Sequence, residues 1–119
     1  MELYKLSFGE ISVLANNIAE VMVDERANID LEMVAEIHNC LLSIFTNSFS
    51  LLINKSNPYS TQLDALIQFG TLAAINKIAV FAPNRMAKLS ADFAADIPSS
   101  AALNIQVFTN REDALGWLN

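Results

Sequence analysis

The sequence predicts a single α/β domain spanning residues 1–119, with an N-terminal antiparallel hairpin and a mixed, mostly parallel sheet of about five strands carrying about four helices. Three observations carry this prediction. Short apolar runs alternate with longer segments of helical periodicity through the last two-thirds of the chain, the pattern of strand–helix–strand units. Two apolar runs near the start are separated only by Asn16-Asn17, a pair that tolerates the left-handed backbone of a tight hairpin. Apolar residues make up 53% of the 119 and charged residues 17%, which supplies one core and argues against disorder.

The elements follow in order. Residues 3–8, 10–15 and 18–23 read as strands broken at Gly9 and at Asn16-Asn17. After the loop 24–28, Asp30 caps a helix over LEMVAEIHNCLLSIF. Its apolar residues Leu31, Val34, Ile37, Leu41, Ile44 and Phe45 share one face. FSLLI (49–53) is continuously apolar, as expected of a strand covered on both sides. A helix then runs to about Phe69, with Gly70 as its C-terminal cap. KIAVFA (77–82) is a second buried strand. Asn84 caps the next helix, whose expected core stripe is Met86, Leu89, Phe93 and Ile97, with Pro98 ending it. A loop leads to a strand at 105–109, and Asn110 with Asp113 has capping-box spacing for a final helix.

Composition excludes several functions. Thirteen acidic against seven basic residues give a net charge of -6, with a pI near 4.5. A chain without a basic cluster is not built for nucleic acid or an anionic membrane surface. No apolar run approaches the roughly 20 residues of a membrane helix, so no membrane insertion is expected. One cysteine excludes an internal disulfide and fits a reducing, cytoplasmic setting, and no signal peptide is visible.

The order of elements, with IDLEMVAEI entering the first helix, then FSLLIN, NPYS, KIAVFAP and VFTNREDALGWL, resembles a group of small bacterial proteins of unassigned function. They are common in flavobacteria and are labelled STAS-like or CRAL-TRIO-like. Their fold is shared with the anti-sigma-factor antagonists of sporulation. The resemblance implies a STAS-like fold and a non-catalytic regulatory module that binds a protein partner. In the antagonists, a serine opening the helix after this strand is phosphorylated, which places Ser60 or Thr61 at the matching point. The chain departs from that pattern: Tyr59 replaces an acidic residue before the hydroxyls, and Gln62-Leu63 replaces a following glycine.

The candidate partner-binding surface is therefore Asn57, Tyr59, Ser60 and Thr61. The plainer reading of the same residues is a helix start, with Thr61 and Asp64 at capping-box spacing and Tyr59 as a packing staple. Catalytic alternatives are weak. His38 and Cys40 lie two apart on a helix and point in different directions, so they read as boundary residues. A zinc site needs about four ligands, and the pattern is missing. The carboxylate pairs Asp24-Glu25, Glu112-Asp113 and Glu32/Glu36 read as loop, helix start and solvated face. Three glycines build no phosphate loop, so neither an enzyme nor a cofactor is expected. The alternative function is a small apolar-ligand, lipid-like binding protein, with Met22, Met33, Met86, Phe45, Phe81 and Phe93 expected in the core. The hairpin's edge strand offers a route to a homodimer.

Overall fold

The computed structural model describes residues 2–96 and 104–119. The expected helix end at Ile97-Pro98 and the loop up to residue 103 lie outside the described residues. The strands are β1 (Leu3–Leu6), β2 (Gly9–Ala15), β3 (Ile18–Val23), β4 (Asn28–Ile29), β5 (Phe49–Asn54), β6 (Ser60–Thr61), β7 (Ile75–Phe81) and β8 (Asn104–Phe108). The helices are α1 (Leu31–Ile44), α2 (Leu63–Phe69), α3 (Arg85–Ala95) and α4 (Arg111–Leu118). Six strands form the main sheet in the order β1-β2-β3-β5-β7-β8, one more than expected. The β1–β2–β3 meander is antiparallel, and β3, β5, β7 and β8 run parallel. β4 and β6 pair separately as a two-stranded parallel ribbon.

Strand alternation sorts the apolar residues onto two faces. Val21, Leu51, Ile78 and Val80 join the larger core, together with Val34, Ile37 and Leu41 of α1, Ala65 of α2 and Ala91 of α3. Ile18, Leu52 and Ala79 face the other way and pack against Ala114 and Leu118 of α4. Leu51 and Leu52 are both fully buried, one toward each face, as two adjacent leucines in a strand imply.

The helix starts have visible causes. Asp30 Oδ1 accepts from the Met33 amide at 2.9 Å, Asn84 Oδ1 from Ala87, and Asn110 Oδ1 from Glu112 and Asp113. Each satisfies amides that the first helical turn leaves free. Leu31, expected on the buried face of α1, is exposed at its first turn.

Two expectations are corrected. The first turn falls at Ser7-Phe8, and Gly9 lies within β2 opposite Val23. A Cβ there would collide with the backbone carbonyl of Met22, so the glycine serves close strand approach rather than the turn. The larger correction concerns α3. Met86, Leu89 and Phe93 are 77%, 58% and 66% exposed, so the expected core stripe faces outward. The helix instead lays Ala91 against the sheet, with Ala87 half-buried beside the core. Small side chains permit a close approach that the bulky row does not.

This orientation makes a test by denaturant unfolding. Leu89→Ser should change stability by no more than about 0.5 kcal/mol, as at an ordinary surface position. Ala91→Asp should cost several kcal/mol by burying an unpaired carboxylate. The reverse ranking would place the bulky row inside.

Candidate functional site

The segment from Lys55 to Gln62 joins β5 to α2 and is stitched to the loop that precedes α1. The Arg26 amide donates to the Pro58 carbonyl at 2.7 Å, Ser60 N to Ala27 O at 3.0 Å, and Gln62 N to Ile29 O at 2.9 Å. The Asn57 side-chain amide donates to Val23 O at 3.1 Å, and Ser60 Oγ to Asn28 Oδ1 at 3.0 Å. Arg26 holds a left-handed backbone (φ 70°) where the two strips meet.

These bonds change the reading of the hydroxyls. Ser60 and Thr61 form strand β6, and the residue before α2 is Gln62, whose side chain makes no cap. Asp64 Oδ1 accepts only from its neighbour Ala65. The expected Thr61–Asp64 capping box is therefore absent. Ser60, spent on β4, is not placed as a helix cap. The structure brings Asn57, Tyr59, Ser60 and Thr61 into one strip but turns them in two directions. Ser60 is exposed, whereas Tyr59 and Thr61 line a cavity.

That cavity, of about 110 Å³, lies between the sheet and the helices α1, α2 and α3. Ile53 and Val80 are on its floor, Leu66 and Phe69 on the α2 side, and Ala94 on the α3 side. Among the described residues its walls are apolar except at Lys55, Tyr59 and Thr61. Lys55 follows the last residue of β5, and its amide still donates to Phe81 O, so strand geometry fixes the position of its side chain. Its Nζ sits 4.0 Å from the centroid of the Tyr59 ring, a cation–π contact. Among the described residues, neither Lys55 Nζ nor the Tyr59 hydroxyl makes a hydrogen bond, and Nζ has no ion-pair partner. Burial pushes the Lys55 ammonium below its ordinary pKa. It pushes the Tyr59 phenol up to about 12. Both shifts favour the neutral form, as loss of water requires. The sequence reading passed over Lys55; its signal was a lysine directly after a doubly buried strand.

A second polar cluster, also unforeseen, lies on the opposite face. Glu20, in the middle of β3, is buried and takes Arg111 Nη2 at 2.6 Å and Asn54 Nδ2 at 2.8 Å. Asn54 Oδ1 accepts in turn from the Ser56 amide and hydroxyl. Every member is partnered, so the cluster anchors the start of α4. A carboxylate inside the apolar run IAEVMV was the available sign.

The remaining candidates are structural. His38 Nε2 lies 3.1 Å from Phe69 O, and burial lowers its pKa against the opposing pull of that carbonyl. Burial, with Glu36 adding to it, raises the Cys40 thiol, the opposite of an activated nucleophile. Glu36 is not merely solvated, since it accepts from the Ser7 amide and hydroxyl and ties α1 to the first turn. Of the aromatic and Met residues expected in the core, Met86 and Phe93 are exposed and Met22 is half-buried outside both core clusters. Among the described residues, no group of three His, Cys, Asp or Glu gathers as for a metal. No helix among them is long and apolar enough to cross a membrane.

A mixed sheet with a leading antiparallel meander, parallel remaining strands and four helices defines a STAS-like α/β domain. The chain is similar to a crystal structure described as an uncharacterized protein from the DUF3478 family with a SpoIIAA-like fold, from Shewanella loihica PV-4. The TM-score is 0.63 at 15% identity, over 100% of this chain and 98% of that one. At that identity the likeness establishes the fold alone, and it does not support the CRAL-TRIO or flavobacterial part of the resemblance. No protein-family model and no curated protein matches the sequence.

The burial of Tyr59 is open to a direct check. Tyr4 and Tyr59 are the two tyrosines, so a Tyr4→Phe variant reports Tyr59 alone. Its tyrosinate absorbance should rise near pH 12 instead of 10. The folded state keeps a proton that the unfolded chain releases above pH 10. Stability should therefore fall between 10 and 12, and Tyr59→Phe should remove that part of the fall. An inflection near 10 in the folded chain would contradict the described packing.

Proposed function

We propose that the protein is a non-catalytic regulatory module that takes a small apolar molecule into the cavity beneath α2 and α3. Its occupancy is presented to a protein partner on the segment 57–64. The observation that carries this reading is the two-sidedness of that segment, with Tyr59 and Thr61 in the cavity wall and Ser60 on the outer surface between them. A molecule that displaces the inner pair shifts the backbone that carries the outer one. Leu63, 59% exposed at the start of α2, extends the outer surface with an apolar contact. The apolar-ligand reading and the partner reading therefore meet in one strip rather than competing for separate places.

Cavity size limits the ligand. An engineered cavity of about 150 Å³ takes benzene, so 110 Å³ suits a smaller group. A long acyl chain does not fit the cavity as it stands. Among the described residues the lining offers an amine, a phenol and a hydroxyl but no carboxylate, imidazole or thiol, which favours binding over acid–base or nucleophilic turnover.

Amide nitrogen–proton spectra recorded with a panel of small apolar compounds test this. At least one compound should shift the resonances of cavity-lining residues and slow hydrogen exchange at 60–63. Ala94→Phe, which fills the space, should abolish both effects. If no compound shifts the lining, the ligand reading fails. If shifts occur without any change at 60–63, the partner-signalling part fails.

A further inference from the structure

Lys55 is placed where a cation is hard to sustain. Removing an ammonium group from water costs several kcal/mol unless a counter-charge or hydrogen bonds replace the lost hydration. The chain contains thirteen acidic residues, and among the described residues none lies within ion-pairing distance of Lys55 Nζ. The Tyr59 ring offsets only part of the cost, since a cation–π contact is worth about 0.5–2 kcal/mol. Glu20, which is buried, shows how this fold settles a charge away from water, with an arginine and an asparagine supplied from two elements. Lys55 has the apolar surroundings and lacks the counter-charge.

The cavity beside it has the complementary deficiency. It can take an apolar group of limited size, and its one basic side chain is at the wall. Resting on the cavity reading above, we infer that the ligand is a short-chain carboxylate. Its hydrocarbon end fills the space between Leu66, Phe69 and Ala94, and its anionic end pairs with Lys55 Nζ. A carboxylate supplies the missing charge through a bond that strengthens where water is excluded. An uncharged molecule of the same shape would leave Lys55 unpaired and more deeply desolvated. The cavity should therefore select by charge at one end and by volume at the other.

The probes are 3-methylbutanoate and 3-methylbutan-1-ol, which share a hydrocarbon end and differ in the charged group. Both are titrated at near-neutral pH into the full chain and into Lys55→Met, following amide shifts. The wild-type chain should bind the acid about tenfold more tightly than the alcohol, the scale of one charge-assisted bond. Lys55→Met should lose that preference while retaining the alcohol, and Lys55→Arg should keep it. Equal binding of acid and alcohol by the wild-type chain overturns the carboxylate inference and leaves the cavity reading intact. Binding of neither overturns both. The wild-type comparison decides the matter even if a Lys55 variant does not fold.

Discussion

The double burial of β5 is the constraint on which the architecture depends. Leu51 and Leu52 point to opposite faces of the sheet and are both inaccessible to water. Each contributes about 1.5–3 kcal/mol relative to an exposed side chain. The exposed pairs Lys5–Glu10 and Lys88–Asp92 contribute at most about 1 kcal/mol each. Covering both faces of the central strand therefore outweighs any arrangement of surface charge. Parallel strands require crossovers, and α1, α2 and α3 lie on one face as those crossovers. The second face is left to α4, only eight residues long.

So short a helix needs more than apolar contact to hold its place. Ala114 and Leu118 give it a small core, and Lys77 donates to the Trp117 carbonyl at 2.8 Å near its end. At its start, Arg111 reaches Glu20 in the centre of the sheet. Burying that carboxylate is costly by itself. With Arg111 and Asn54 bound to it, the cost is offset, and the position of α4 becomes specified. Removing Arg111 alone would leave Glu20 as a buried charge without its main partner.

What the sequence made legible was local. The Asn16-Asn17 hairpin and the caps at Asp30, Asn84 and Asn110 depend on residues no more than a few positions apart. The double burial of β5 is written in the consecutive apolar residues Leu51, Leu52 and Ile53. What it hid was long-range. Ser60-Thr61 read as a helix start because β4, the strand that claims their backbone, lies 32 residues away. The Glu20–Arg111 pair spans 91 residues. The orientation of α3 was lost for another reason: a stripe drawn through the largest apolar residues ignores alanine, and alanine is what reaches the sheet. Of the site, Tyr59 and Thr61 were legible as members of a polar strip. Their inward direction was set by pairing with β4, and Lys55 became visible only with the cavity.

The cavity and the exposed row on α3 have a common origin. Helix α3 keeps Met86, Leu89 and Phe93 outside and brings Ala91 and Ala94 to the inside, so its inner side chains are too small to fill the space above Ile53 and Val80. The alternation of β5 then determines what borders that space. Asn54 falls on the α4 face and joins a closed network in which each polar atom described has a partner. Lys55, one residue later, falls on the cavity face and has only an aromatic ring. Two polar residues at one strand end thus differ by parity alone. The satisfied one explains how the fold is held, and the unsatisfied one marks where the fold has left room for something else.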